Sequence, residues 1–145
     1  MIRVDRSALV AYSAQIMYVL VEDIESYPQF LPWCSGAEYS VREPSRTVAT
    51  LHIDFHGLKT QFTTENTHES GRRIDIKLVS GPFRSLKGNW SFTDLGSNGC
   101  KVELSLCYQF KSALLERAVG PAFREIADSL VEAFVRRADR KCGHA

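Results

Sequence analysis

The sequence lacks the marks of several large protein classes. No stretch approaches the roughly eighteen consecutive apolar residues that a membrane-spanning helix needs. Met1-Ile2-Arg3-Val4-Asp5-Arg6 alternates charge with apolar residues, unlike the apolar core of a signal peptide. A soluble, non-exported protein is expected. Charge imbalance is almost absent, since 18 basic and 17 acidic side chains leave a formal charge of +1. No bulk field therefore draws the chain to DNA, and contact with any nucleic acid has to come from a local patch. Cys34, Cys100, Cys107 and Cys142 form no C-x-x-C pair, and the histidines are not grouped at zinc spacing, so free thiols and no metal are expected. Glycine-rich phosphate loops, nucleophile–base motifs and internal repeats are missing too. By length the 145 residues make one domain, 1–145, large enough to bury a core.

What is present is, first, a long amphipathic pattern from Ser112 to Lys141. Leu115, Val119, Phe123, Ile126, Leu130 and Phe134 recur in steps of three and four, and Leu114, Ala122, Ala127, Val131 and Ala138 widen the stripe. Ser112 is the natural N-cap. Arg136, Arg137, Arg140 and Lys141 complement the negative end, and Gly143 lies just beyond. Gly120-Pro121 predicts a bend after the first two turns, either a fixed one that follows the curve of the sheet or a hinge that makes the short segment before it a lid.

Upstream, Ile2–Val10 reads as a strand and Ser13 caps a helix through Val21. Glu22–Tyr27 reads as a second short helix stopped by Pro28, and Leu31-Pro32-Trp33-Cys34 as an apolar turn. From Ala37 to Lys111 the period becomes two. Ala49, Leu51, Ile53 and Phe55 share one face; so do Leu58, Thr60, Phe62 and Thr64. Ile74, Ile76 and Leu78 follow, then Leu86, Gly88, Trp90 and Phe92, then Val102 through Phe110. Short turns between these runs predict an antiparallel meander of about seven strands in an α+β fold, with the long helix across its dry face.

A strongly twisted sheet of that width curls, and one helix about 10 Å across cannot fill it from edge to edge. The inward residues either collapse together or line an apolar space, with Thr60 and Thr64 as its few polar groups. An apolar space of that kind suits a lipid or quinone.

Three runs then resemble one family: Tyr27-Pro28-Gln29-Phe30-Leu31-Pro32-Trp33-Cys34, Gly81-Pro82-Phe83-Arg84 to Leu86 with Gly88-x-Trp90-x-Phe92, and Glu132-Ala133-Phe134-Val135-Arg136-Arg137-Ala138. In this order they resemble the coenzyme Q-binding and ribosome-association toxin branch of the StART-like superfamily of polyketide cyclases and lipid-transport proteins. The resemblance implies a helix-grip fold, a curved sheet wrapped around the long C-terminal helix. It implies binding of ubiquinone or a similar prenylated lipid as ligand, without a resident cofactor, in support of respiration. The bacterial cytoplasm, with peripheral contact to the inner membrane, is the implied location. The alternative activity is binding of the large ribosomal subunit through its rRNA to block subunit joining; a third is polyketide cyclisation.

Candidate ligand-binding residues are Trp33, Phe55, Phe62, Leu78, Trp90, Phe92, Leu106, Phe123, Ile126 and Leu130. Phe83 beside Arg84, with Phe30, has the composition of a membrane-contacting lip, unless Phe83 folds back on the sheet. Arg136, Arg137 and Arg140 suit rRNA or anionic headgroups, or else only the helix dipole. No catalytic residue is assigned, because the titratable side chains His52, Asp54, His56, Asp75, Lys77, Lys101 and Glu103 fall on the wet face.

Overall fold

The computed structural model describes residues 1–142; Gly143 lies outside them. Seven strands form: β1 (Ile2–Val10), β2 (Cys34–Arg42), β3 (Arg46–Phe55), β4 (Leu58–Glu69), β5 (Arg73–Ser80), β6 (Phe83–Asp94) and β7 (Cys100–Phe110). They make one antiparallel sheet in the order β1-β7-β6-β5-β4-β3-β2. The meander from β2 to β7 follows from short turns. His56 and Gly57 both have positive φ, 52° and 82°, as a two-residue hairpin of the primed type requires. The first strand pairs along β7 from Ile2↔Tyr108 to Val10↔Cys100.

Irregular register in β2, between β4 and β5, and at the start of β6 breaks the strict period of two. Such bulges add local twist and help the sheet curl. The bulge between Phe83 and Ser85 has a further effect: it places Phe83 and Leu86, three residues apart, both inside.

The helix α1 (Ala14–Glu22) begins where Ser13 Oγ accepts the Ile16 backbone N–H at 3.2 Å, and it buries Ala14, Met17, Tyr18 and Val21. A 3-10 turn over Ile24–Gln29 follows and passes through Pro28 instead of stopping before it.

The long helix α2 (Ala113–Cys142) is capped by Ser112 Oγ, which accepts the Leu115 N–H at 3.2 Å, and it runs unbroken through Gly120-Pro121. Its buried face is Val119, Phe123, Ile126, Ala127, Val131, Phe134 and Ala138. Leu114, expected in the stripe, is instead 74% exposed. Three long-range contacts fasten the helix: Arg6 to Asp128 at 2.6 Å, Tyr12 to Asp139 at 2.5 Å, and Arg137 to Gln29 at 2.8 Å.

Between α2 and the sheet lie two aromatic clusters. Phe83 packs against Phe123 (4.9 Å between centroids), Phe110 (5.0 Å), Tyr108 (5.8 Å) and Phe62 (5.9 Å). Phe134 meets Tyr27 and Phe30 (both 5.3 Å) and Trp90 (5.4 Å). Within the first cluster the Tyr108 side chain is 0% exposed and its hydroxyl has no hydrogen-bond partner among the described residues. Removing an orphaned buried hydroxyl recovers its desolvation cost, about 1 kcal/mol. Tyr108→Phe should therefore raise the thermal midpoint by about 3 °C. A fall in a calorimetric scan would show that the hydroxyl is satisfied.

Candidate functional site

The space between the two clusters is a cavity of about 100 Å³. Phe62 and Phe123 bound it on one side; Tyr27, Trp90 and Phe134 bound it on the other. Ala49 and Leu51 of β3, Ile74 and Ile76 of β5, Leu86 of β6, and Leu104 and Leu106 of β7 form the sheet wall, and Ile126, Ala127 and Leu130 form the helix wall. That volume is several times what a single water needs and is walled mainly by hydrocarbon, so it suits a ring-sized apolar group. Outside it, a groove along α2 is lined by Phe30, Leu31, Pro32, Phe55, Ala133, Arg136 and Arg140. Trp33 and Ile126 line both spaces and so form the wall between them.

Of the residues the sequence assigns to a ligand, Trp33, Phe62, Trp90, Leu106, Phe123, Ile126 and Leu130 line the cavity. Phe55 lines the outer groove instead. Phe92 stacks on Trp90 and meets Tyr18 edge-on, away from the cavity. Leu78 is partly buried and outside the lining, where register slips between β4 and β5. Thr60 also lies outside the cavity wall.

The expectation of an exposed Phe83 is overturned. The side chain is 2% exposed, and the bulge that turns it inward is the reason. Only Arg84 of that pair faces solvent. Phe30 belongs to the other aromatic cluster, so Phe30 and Phe83 form no common lip. The lid expectation also fails, because no residue from Leu114 to Val119 lines the cavity.

The arginines divide. Arg136 pairs with Glu132 at 2.9 Å and, with Arg140, borders the groove. Arg137 donates to Gln29 and lies 4.8 Å above the Phe30 ring. On the wet face, His52 meets Glu38 at 2.7 Å.

Polar residues that the sequence reading passed over complete the wall: Glu22 at the end of α1 and, on the sheet, Thr47, Asn66 and His68 beside the expected Thr64. The period of two carried the three on the sheet, since Thr47 precedes Ala49 on its face, and Asn66 and His68 continue Thr64. His68, Ile74, Trp90 and Leu104 form one row across four strands, which fixes the imidazole over the cavity. Its Nδ1 meets Tyr18 Oη at 3.0 Å and its Nε2 meets Thr47 Oγ1 at 2.8 Å. Burial pushes the imidazole below its ordinary 6.5, against the attraction of the Glu22 carboxylate.

A base whose folded pKa is depressed is neutral in the fold and takes up a proton more readily in the unfolded chain. Its contribution to stability is present above about pH 6.5 and is lost as pH falls through the folded pKa. His68→Gln should flatten the dependence of the thermal midpoint on pH between about 7 and about 5. An unchanged slope would assign the acid sensitivity to other groups.

An antiparallel sheet curled over a long C-terminal helix, with an apolar cavity between them, defines the helix-grip class of StART-like folds. The model of the polyketide cyclase/dehydrase and lipid transport family matches residues 10–135, and the chain belongs to that family. It is 42% identical to the ribosome association toxin RatA of Escherichia coli K12 over 136 residues, 94% of this chain and 86% of that one. It is 27% identical to the mitochondrial coenzyme Q-binding protein COQ10 of Drosophila melanogaster over 143 residues, 95% of this chain and 59% of that one. Among solved structures, the Zhui aromatase/cyclase from Streptomyces sp. R1128 shares the fold, with a TM-score of 0.81 at 18% identity over 97% of this chain and 94% of that one. No described helix is long and apolar enough to cross a membrane.

Proposed function

We propose that this protein binds ubiquinone or a similar prenylated lipid in its cavity, as a carrier and not as an enzyme. The observation that carries the reading is the hydrocarbon-walled void of about 100 Å³ held between two aromatic clusters. It suits a quinone-sized ring; a prenyl tail then has to leave along the groove beyond Trp33 and Ile126. The name of the Drosophila relative supports the ligand class.

Binding without turnover is supported by how the titratable groups at the wall are occupied. Tyr27 Oη donates to the Val21 carbonyl, and Glu22 pairs with Arg42 at 3.2 Å. Work in the bacterial cytoplasm, peripherally at the inner membrane, follows from such a ligand. The test is organic extraction of protein from its native host followed by mass spectrometry, with quenching of Trp33 and Trp90 fluorescence on quinone titration. The absence of both bound lipid and saturable quenching would end the carrier reading.

A second reading has its own support, the 42% identity to a ribosome association toxin. Here the exposed Arg136 and Arg140 at the groove rim, with Arg137, contact rRNA of the large subunit. Such binding weakens steeply with salt through counterion release. Overexpression should shift sucrose-gradient profiles towards free subunits, and alanine at all three positions should restore whole ribosomes. An unchanged profile at high expression counts against it.

A further inference from the structure

The polar corner of the cavity is one connected chain of side chains. Thr64 Oγ1 and Asn66 Oδ1 are 3.1 Å apart, and Asn66 Nδ2 and Thr47 Oγ1 are 3.5 Å apart. From Thr47 the chain continues through His68 to Tyr18. Thr47, which faces Asn66 directly across the β3–β4 ladder, is 2% exposed; Thr64 is 8% and Asn66 9%.

The hydrogens in this chain outnumber its contacts. A primary amide carries two N–H groups, and in either orientation of the Asn66 amide its contacts with Thr47 and Thr64 engage one of them. The second has no partner among the described residues. Tyr18, neutral His68 and Thr47 each bring one hydrogen to two shared contacts, so one hydroxyl hydrogen is also left over. With Asn66 Oδ1 towards Thr64 it sits on Thr47 when Nε2 is protonated and on Tyr18 when Nδ1 is; with the amide reversed and Nε2 protonated, Thr47 donates to Asn66 Oδ1 and the free hydrogen is on Thr64. Burial supports the neutral imidazole this count requires. What remains is a surplus of donors, the free Asn66 N–H among them, at a void whose wall is otherwise hydrocarbon except for Glu22, which is committed to Arg42 at 3.2 Å; a buried donor gains most from an acceptor delivered by a ligand.

We infer that this corner receives a carbonyl oxygen: a ring ketone of a quinone-type ligand enters first and accepts from the Asn66 amide, while the isoprenoid chain trails towards Trp33 and Ile126. The inference rests on the lipid-binding reading and adds which end of the ligand is buried and what recognises it. Asn66 becomes the residue that separates a quinone from a plain isoprenoid hydrocarbon of the same length. The site rejects the hydrocarbon because its donors would stay unpaired.

The probes are a dimethoxy-benzoquinone carrying one isoprenoid unit and a matched isoprenoid hydrocarbon, both read by competition with an environment-sensitive dye. In the unmodified protein, the infrared carbonyl stretch of the quinone should move to lower wavenumber on binding. In Asn66→Leu that shift should disappear and quinone affinity should fall about tenfold or more, with hydrocarbon affinity held or raised. Asn66→Asp, which keeps the shape of the side chain and removes its N–H donors, supplies the same contrast if Asn66→Leu does not fold. An unshifted carbonyl band in the unmodified protein, or equal losses for both probes, would overturn the inference and leave lipid binding standing. Failure to bind either probe would remove both.

Discussion

Replacing Phe83 by serine should lower the thermal midpoint by on the order of 10 °C or more, although the residue opens a strand at a Gly-Pro turn. Phe83 is 2% exposed and meets four aromatic rings with centroids within 5.9 Å. Truncating a buried phenylalanine costs about 3–5 kcal/mol, through lost transfer energy and the void left behind. Serine adds a hydroxyl with no evident partner. Calorimetry on Phe83→Ser and Phe83→Leu checks the assignment, because leucine keeps much of the volume and should recover a large share of the loss. A midpoint within a few degrees of the unmodified protein would return Phe83 to the surface. Arg84→Ser, one residue along and exposed, is the internal control and should move little.

Filling the cavity should uncouple binding from stability. Ala127 lies on the α2 wall and is 0% exposed, so Ala127→Leu pushes hydrocarbon into the void and adds a good helix former. Each methylene that fits without strain gains about 0.8 kcal/mol, whereas overpacking costs about 1–3 kcal/mol. In a space of about 100 Å³ the added carbons fit, so the midpoint should hold or rise. Quinone affinity, read by Trp33 and Trp90 quenching, should fall at least tenfold, because ligand and leucine compete for the same volume. If affinity is unchanged, quinone binds elsewhere, with the outer groove the first place to look. If midpoint and affinity fall together, the void is a consequence of packing and not a binding site.

Much of this was open to a reader of the sequence alone. The period of two from Ala49 to Phe110 and the steps of three and four from Leu115 to Phe134 set the strands, their dry face and the helix that covers it. These are local properties, because a pleated strand and a helix each impose their own repeat on which side chains can be buried. Seven of the ten candidate ligand residues line the cavity for that reason. Thr47, Asn66 and His68 obey the same repeat and were equally legible once β3 and β4 were carried to their full lengths.

Three things were decided only by the tertiary structure. A bulge changes the face of every residue on one side of it, and none of the residues from Phe83 to Ser85 announces one; register comes from how β6 pairs with β7. Whether the inward side chains collapse or leave a void depends on how far the sheet curls against α2, which sums small twists over seven strands. The donor surplus in the polar corner needs Tyr18 from α1 to meet His68, fifty residues away. The sequence by itself determined which side chains turn inward. The pairing of the strands and the docking of the two helices decided which of them touch, and where room was left between them.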